Sequence, residues 1–330
     1  MSGQTDMNTG NPTRRRVFVA GHRGMVGSAI CRRLEAEPVE IITRTRGELD
    51  LTNQAAVSAF FAAERIDAVI LAAARVGGIL ANAEQPVDFL QDNLQIQTNV
   101  IGAAAAAGVP RLVFLGSSCI YPKFAEQPIR EDALMTAPLE PTNQWYAIAK
   151  IAGVYLCQAY RQQHGLSYVS AMPTNLYGPN DNFDLATSHV LPALIRKFVE
   201  AAEAASPDVE IWGSGTPLRE FMHVDDLADA IVFLLDTYDG DAPINVGSGQ
   251  EISIGNLARL VARETGFAGM LRFNTSKPDG TPRKLMDSGR LAALGWSPRI
   301  SLEDGIRQAV RWYLDNRAEL GADGKADRPS

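Results

Sequence analysis

The chain has 330 residues, 46% hydrophobic and 21% charged, which is the make-up of an ordinary soluble globular protein of one large domain or two closely joined ones. A net charge of −7 argues against a nucleic-acid binder, which needs a basic face, and no run is long and apolar enough to span a membrane; the alanine-rich 103–107 is too short. Three scattered cysteines, Cys31, Cys119 and Cys157, make neither a disulfide framework nor a zinc site and point to a reducing compartment, the cytoplasm.

Residues 1–13 are polar, lack the apolar core of a signal peptide and read as a disordered arm. Apolar, β-branched runs at 17–20, 39–43, 68–72, 112–115 and 168–173 then read as strands. Helical periodicity fills 25–36, 53–64, 86–107 and 142–164 between them. Alternating β and α predicts a parallel, doubly wound sheet with its sites at the carboxyl ends of the strands. After Pro173 the pattern changes. Gly, Pro, Asn, Asp and Ser cluster over 177–192 as a loop-rich substrate region. A helix at 190–205, a strand at 209–212, a helix at 224–238, a strand at 244–246 and helices at 253–266 and 301–318 follow. The expected division is a nucleotide-binding domain of 14–176 plus 220–247, a smaller discontinuous α/β substrate lobe of 177–219 plus 248–318, and a disordered tail over 319–330.

The turn after the first strand carries Gly21, Gly24 and Gly27 in a G-x-x-G-x-x-G spacing and opens a helix. Such glycines permit a tight turn, close backbone approach to a pyrophosphate and close helix–strand packing, while the helix presents free N–H groups to the anion. The preceding strand and following helix supply the context that a bare glycine motif lacks. The second strand leads into Arg44-Thr45-Arg46, and Arg23 lies inside the glycine loop; these arginines favour the 2′-phosphate of NADP. Glu48 and Asp50 are the residues that would instead serve an unphosphorylated ribose.

The fourth strand runs into Gly116-Ser117-Ser118-Cys119, and Tyr146-x-x-x-Lys150 follows on a helix. Four residues apart, Tyr146 and Lys150 share a helix face. A phenol of pKa ~10 needs a neighbouring ammonium to work near neutral pH. Ser117 can share a substrate carbonyl oxygen with Tyr146, which is reductase chemistry. Cys119 is superfluous for moving a hydride, and a thiol beside a polarised carbonyl suggests proton abstraction from carbon.

With these residues in view, the chain resembles the extended short-chain dehydrogenase/reductase superfamily. Within it the chain is closely similar to the GDP-L-fucose synthase family, the 3,5-epimerase-4-reductases of GDP-4-keto-6-deoxy-D-mannose. The stretches AGHRGMVGSAI (20–30), RTRGELDL (44–51), LAAARVGGI (71–79), LGSSCIYPK (115–123), LEPTNQWYAIAKIAG (139–153), MPTNLYGPNDNF (172–183), WGSGTPLREFMHVDD (212–226) and KPDGTPRKLMD (277–287) carry the likeness. The resemblance implies a Rossmann-type fold, NADP(H) as cofactor, a GDP-sugar substrate and a homodimer formed through the helices near 86–107 and 142–164. It assigns catalysis to Ser117, Cys119, Tyr146, Lys150 and His189, with Cys119 as the carbon base and His189 as the acid on the opposite face.

By the same resemblance the cofactor is held by Gly21, His22, Arg23, Gly24, Met25, Val26, Gly27, Arg46, Glu48, Leu49, Asp50 and Leu51. Ala72, Ala73, Leu115, Gly116, Ser118, Lys150 and His189 continue that site, and Pro173, Thr174, Asn175 and Leu176 close the nicotinamide pocket. Asn175, Lys197, Trp212, Arg219, Asp279 and Lys284 are the implied substrate contacts, Lys197 and Arg219 at the diphosphate and Trp212 near the nucleotide. Lys197 stands where relatives often carry arginine and gives up the bidentate fork. Cys31 and Cys157 read as packing residues, and no metal is expected. Two rival readings are another nucleotide-sugar 4-epimerase or 4-reductase, which would not need Cys119 and His189, and a non-catalytic NADP-sensing protein.

Overall fold

The computed structural model describes residues 14–277 and 279–320, without the side chains of 79 and 80. The predicted arm at 1–13 and the tail beyond 320 lie outside the described residues, whereas Leu320 is buried against the second lobe.

Six parallel strands form the main sheet: β1 (Arg15–Ala20), β2 (Val39–Ile42), β3 (Ala68–Leu71), β4 (Arg111–Leu115), β5 (Ser167–Pro173) and β9 (Ile244–Val246). Their order is β2-β1-β3-β4-β5-β9. The chain therefore reverses direction of winding at β1, and a crevice opens at its carboxyl end, between β1 and β3, as doubly wound sheets require. β3 is buried along its whole length, as a strand covered on both faces must be.

Helices cover both faces. α2 (Gln54–Ala63), α4 (Pro86–Ala106) and α5 (Gln144–His164) pack around Phe18, Val69, Leu112 and Phe114, while α1 (Met25–Leu34) and α7 (Val224–Thr237) pack around Val19, Ile70, Val113 and Ile231. The helix expected over 86–107 is preceded by a separate short one, α3 (Ile79–Glu84), and starts at Pro86, whose missing N–H suits the first turn.

The second lobe has its own core of Phe183, Ile195, Phe198, Leu257 and Ile306 beneath α6 (Val190–Glu203), α8 (Ile254–Thr265) and α10 (Leu302–Asn316). Its small sheets are built from β6 (Asn175–Tyr177), β7 (Asp208–Trp212), β8 (Leu218–His223), β10 (Glu251–Ser253), β11 (Met270–Asn274) and β12 (Arg283–Lys284). A short helix, α9 (Gly289–Ala293), packs near β9. β6 leaves the end of β5 and pairs with β8, so the main sheet hands the chain directly to the second lobe. Among the described residues no helix is long and apolar enough to cross a membrane.

Candidate active site

The turn between β1 and α1 is packed too closely for side chains. A Cβ on Gly27 would stand 2.0 Å from the Gly21 carbonyl oxygen, and one on Gly21 would stand 2.7 Å from Ala73 N and Cα. Gly21 also has φ +88°, a conformation that a side chain resists. Gly24 caps α1 with no side-chain bond, so the first-turn N–H groups face an open cradle suited to a diphosphate. His22 lies on this loop, its pKa lowered by burial and by Arg23.

The two arginines after β2 separate in the structure. Arg44 is committed to Glu64 at 2.5 Å and lies 5.1 Å from the Phe60 ring centre, whereas Arg46 is exposed. The acids that would suit a plain ribose are engaged locally: Glu48 accepts from Thr45 N at 2.7 Å, and Asp50 Oδ1 accepts from Thr52 N and Oγ1. Leu49 is buried, and Leu51 offers its carbonyl to Asn99 Nδ2 at 2.9 Å. Ala72 and Ala73 line the crevice beyond β3 next to Gly21.

At the end of β4, Gly116 passes so near Met172 that a Cβ would clash with its sulfur. Ser117 then caps a single 3-10 turn, Ser118–Ile120, by accepting from Cys119 N at 3.3 Å. That turn places the serine hydroxyl and the thiol side by side. α5 approaches β4 at Gly153, where a Cβ would meet the Phe114 ring at 2.4 Å. The close approach lets the buried Lys150 ammonium donate to Leu115 O at 2.8 Å, 5.7 Å from the centre of the Tyr146 ring. Tyr146 is hydrogen-bonded to Ser117.

Burial pulls Lys150 down to about 8. The Tyr146 pKa is pushed up, because burial and the neighbouring Cys119 outweigh the Ser117 hydrogen bond. The expected lowering by Lys150 is therefore overridden, and the phenol is held protonated at neutral pH, the form that delivers a proton to an alkoxide. Burial also raises the Cys119 thiol, opposed by Lys284, Ser117 and Lys150. Cys31 and Cys157 lack such a cationic setting of ammonium groups and are pushed up to about 11 and about 12, mainly by burial, as packing thiols should be.

His189 occupies the N-cap position of α6 without a side-chain capping bond and is solvent-accessible; crowding by neighbouring atoms and Lys284 lower its pKa. Lys284 thus acts electrostatically on both Cys119 and His189 and links the β4 turn to the α6 cap. Lys284 pairs in register with Arg219 across β12 and β8, and burial lowers the pKa of both cations. Trp212, 52% exposed, carries Lys197 at 5.7 Å and Lys277 at 5.0 Å from its ring centre. Asp279 accepts from Ser214 N at 2.6 Å and Ser214 Oγ at 2.8 Å, bracing the turn beside Trp212. Pro173, Thr174, Asn175 and Leu176 run from the end of β5 into β6, with Asn175 Nδ2 donating to Glu220 O at 2.8 Å.

The structure thus gathers Ser117, Cys119, Tyr146 and Lys150 into one cluster and brings Lys284 within electrostatic reach of it. Lys197, Trp212 and Asp279 form a separate group in the second lobe. Sequence reasoning passed over Glu220. Its buried carboxylate accepts from Gly249 N at 2.8 Å and Met286 N at 3.0 Å, tying β8, the turn before β10 and the strand of Lys284 together. A glutamate that leads directly into the apolar pair Phe221-Met222 is the signal that could have found it.

A glycine-lined crevice at a sheet switch point, opening onto a serine, tyrosine and lysine, defines a Rossmann-type dinucleotide-dependent enzyme. The chain belongs to the NAD dependent epimerase/dehydratase family, whose model matches residues 17–247. It is 62% identical over 302 residues to GDP-L-fucose synthase 1 of Arabidopsis thaliana, covering 91% of this chain and 94% of that protein. Identity to GDP-L-fucose synthase of Escherichia coli is 53% over 315 residues, covering 92% and 98%. The crystal structure of a GDP-L-fucose synthetase from Naegleria fowleri bound to NADP superposes with a TM-score of 0.85 at 29% identity, covering 93% and 96% of the two chains.

Proposed function

We propose that this chain converts GDP-4-keto-6-deoxy-D-mannose to GDP-L-fucose, by epimerisation at C3 and C5 followed by NADPH-dependent reduction at C4. The observation that carries the proposal is the shared turn of Ser117 and Cys119, which supports the reading of a thiol set to act as carbon base beside a carbonyl-polarising hydroxyl. Ser117 and Tyr146 hold the C4 oxygen, which makes the hydrogens on both flanking carbons acidic and stabilises the enolate. Cys119 removes a proton and His189 returns one to the opposite face. Tyr146 later protonates the C4 oxygen, and Lys150 keeps positive charge beside it. NADPH, when bound, supplies the hydride.

The turn of Gly21, Gly24 and Gly27 suits the cofactor diphosphate, since its close backbone packing leaves no side chain between the anion and the first-turn N–H groups of α1. Arg23 and Arg46 reach for the 2′-phosphate, His22, Met25 and Val26 continue the loop, and Leu49, Asp50 and Leu51 border the adenine. Leu115, Gly116 and Ser118, together with Pro173–Leu176, wall the nicotinamide end. Lys197, Arg219 and Lys284 serve the GDP diphosphate, Trp212 its base, and Asp279 the hydroxyl-rich end.

Incubation with GDP-4-keto-6-deoxymannose and NADPH in heavy water tests the reading. Deuterium at C3 and C5 of a reduced product supports it; reduction without label, or no NADPH consumption, contradicts it.

Because Arg46 is the exposed arginine of the pair, Arg46→Glu is expected to weaken NADPH by about ten- to a hundredfold, the worth of a charged hydrogen bond, and to leave NADH nearly unchanged. Titration of cofactor fluorescence reads both affinities.

The two half-reactions should also part with pH. Lys150 loses its proton as pH passes about 8, so reduction of an already epimerised substrate falls there. Wash-in of deuterium instead rises at higher pH, where the Cys119 thiolate forms, because burial holds that thiol above its ordinary range. Parallel pH profiles would contradict the division of labour.

The enzyme is inferred to act as a homodimer in the cytoplasm. On α5, Trp145, Ile148 and Tyr155 stand at helical spacing and are 39%, 40% and 46% exposed, an apolar stripe suited to a second copy. Three free thiols suit a reducing compartment. Light scattering at micromolar concentration should give twice the chain mass, and Tyr155→Glu should shift it toward the monomer.

A further inference from the structure

The segment 72–78 leaves β3 beside the glycine loop and ends against the residues that precede His189. At its near end, the Ala73 backbone touches Gly21 so closely that no Cβ fits between them. In its middle, Arg75 N donates to Asn93 Oδ1 at 2.9 Å, and Asn93 Nδ2 donates back to Arg75 O at 3.0 Å and to Phe89 O at 2.8 Å. Asn93 is 2% exposed, so this clamp onto α4 is shielded from water. The Arg75 guanidinium adds ion pairs to Asp92 at 2.9 Å and Asp88 at 3.0 Å.

At the far end, Gly78 N donates to Thr187 O at 3.0 Å. A Cβ on Gly78 would stand 3.2 Å from the carbonyl oxygens of both Thr187 and Ser188, the two residues before His189. Gly78 has φ −66° and ψ 178°, a backbone conformation open to any residue. Glycine is therefore favoured there by the close approach, which a side chain would have to widen by a few tenths of an ångström, and not by the turn. From the inner side, Asp184 Oδ1 accepts from Thr187 N at 2.8 Å and Thr187 Oγ1 at 2.7 Å. The loop carrying His189 is thus held between Asp184 and Gly78.

We propose that Gly78, anchored through Arg75 and Asn93 to α4, is a positioning residue that sets the distance of His189 from the carbon it protonates. The proposal rests on the reading of His189 as the acid of epimerisation. It assigns the strap to that half-reaction alone, since Ser117 stands in the turn after β4 and Tyr146 and Lys150 on α5, away from Gly78.

The test uses the full chain with Gly78→Ala, Gly78→Val and, as control, Gly77→Ala. A Cβ on Gly77 would meet the Phe89 ring at 2.9 Å and Ala81 at 3.2 Å, and no atom of the His189 loop within that range. A displacement of a few tenths of an ångström at a reacting group is expected to slow deuterium wash-in about tenfold for Gly78→Ala, and more for Gly78→Val. NADPH oxidation with the already epimerised keto-sugar and melting temperature stay near wild type. The His189 imidazole resonance moves in both Gly78 variants and not in Gly77→Ala. Wild-type wash-in by Gly78→Val, an unmoved His189 resonance, or an equal fall of both half-reactions overturns the positioning role. Absence of wash-in by the unmutated protein overturns instead the reading on which the role rests.

Discussion

Cys119→Ser is expected to lower deuterium wash-in at C3 and C5 by about 10²–10⁴-fold, the usual worth of a positioned acid–base group, and to leave NADPH oxidation of the already epimerised keto-sugar largely intact. Serine matches the thiol in size and can keep the bond from residue 119 N to Ser117 Oγ, so the turn survives. What changes is acidity. A thiol ionises near 8.5 in water; burial raises it here, and Lys284, Ser117 and Lys150 limit that rise, so a thiolate stays far easier to form than an alkoxide. A serine hydroxyl has no such access to its anion. The substitution also has a second signature. The negative charge that Cys119 can carry helps keep Lys150 protonated, so its removal lets Lys150 titrate below about 8. The alkaline limb of the reduction profile should shift to lower pH in the variant. Equal loss of both half-reactions, measured on the two substrates separately, would show that the thiol serves the C4 centre as well.

The parts of this site that were legible in the sequence are those whose partners lie close by in the chain. The glycine loop, the tyrosine–lysine spacing and the serine after a buried strand are local patterns, and the strands and helices around them repeat with the period that burial imposes. The short strands β6 and β12 escaped because two or three residues show no period. β8 escaped because Arg219 and Glu220 break the apolar pattern of a strand, whereas Glu220 is fully buried and paired with backbone N–H groups from distant segments. The choice of Arg46 over Arg44 comes from the resemblance alone; its physical reason is that folding brings Glu64 and Phe60 to Arg44 and leaves Arg46 exposed. Gly78 stood in plain view inside AARVGGI, but its partner Thr187 comes from the other lobe, and no local pattern joins them.

Tyr146→Phe is expected to produce the reverse separation: reduction falls by about 10²–10⁴-fold while part of the solvent exchange at C3 and C5 persists. Reduction at C4 leaves an alkoxide, which must take a proton as it forms, and on the proposed reading that proton comes from Tyr146, which burial keeps protonated beside Ser117. Phenylalanine fills the same half-buried place beside Lys150 without the hydroxyl, so the fold should hold and the ammonium should keep its bond to Leu115 O. Enolate formation asks less of the tyrosine. A carbonyl oxygen that still receives the Ser117 hydroxyl is partly polarised, and Cys119 and His189 stand on other elements, the β4 turn and the start of α6. Exchange should therefore drop less than reduction, and the ratio of the two rates is the measurement that decides. If exchange vanishes together with reduction, Tyr146 carries the electron sink for both reactions, and the serine alone is too weak a donor to hold the enolate.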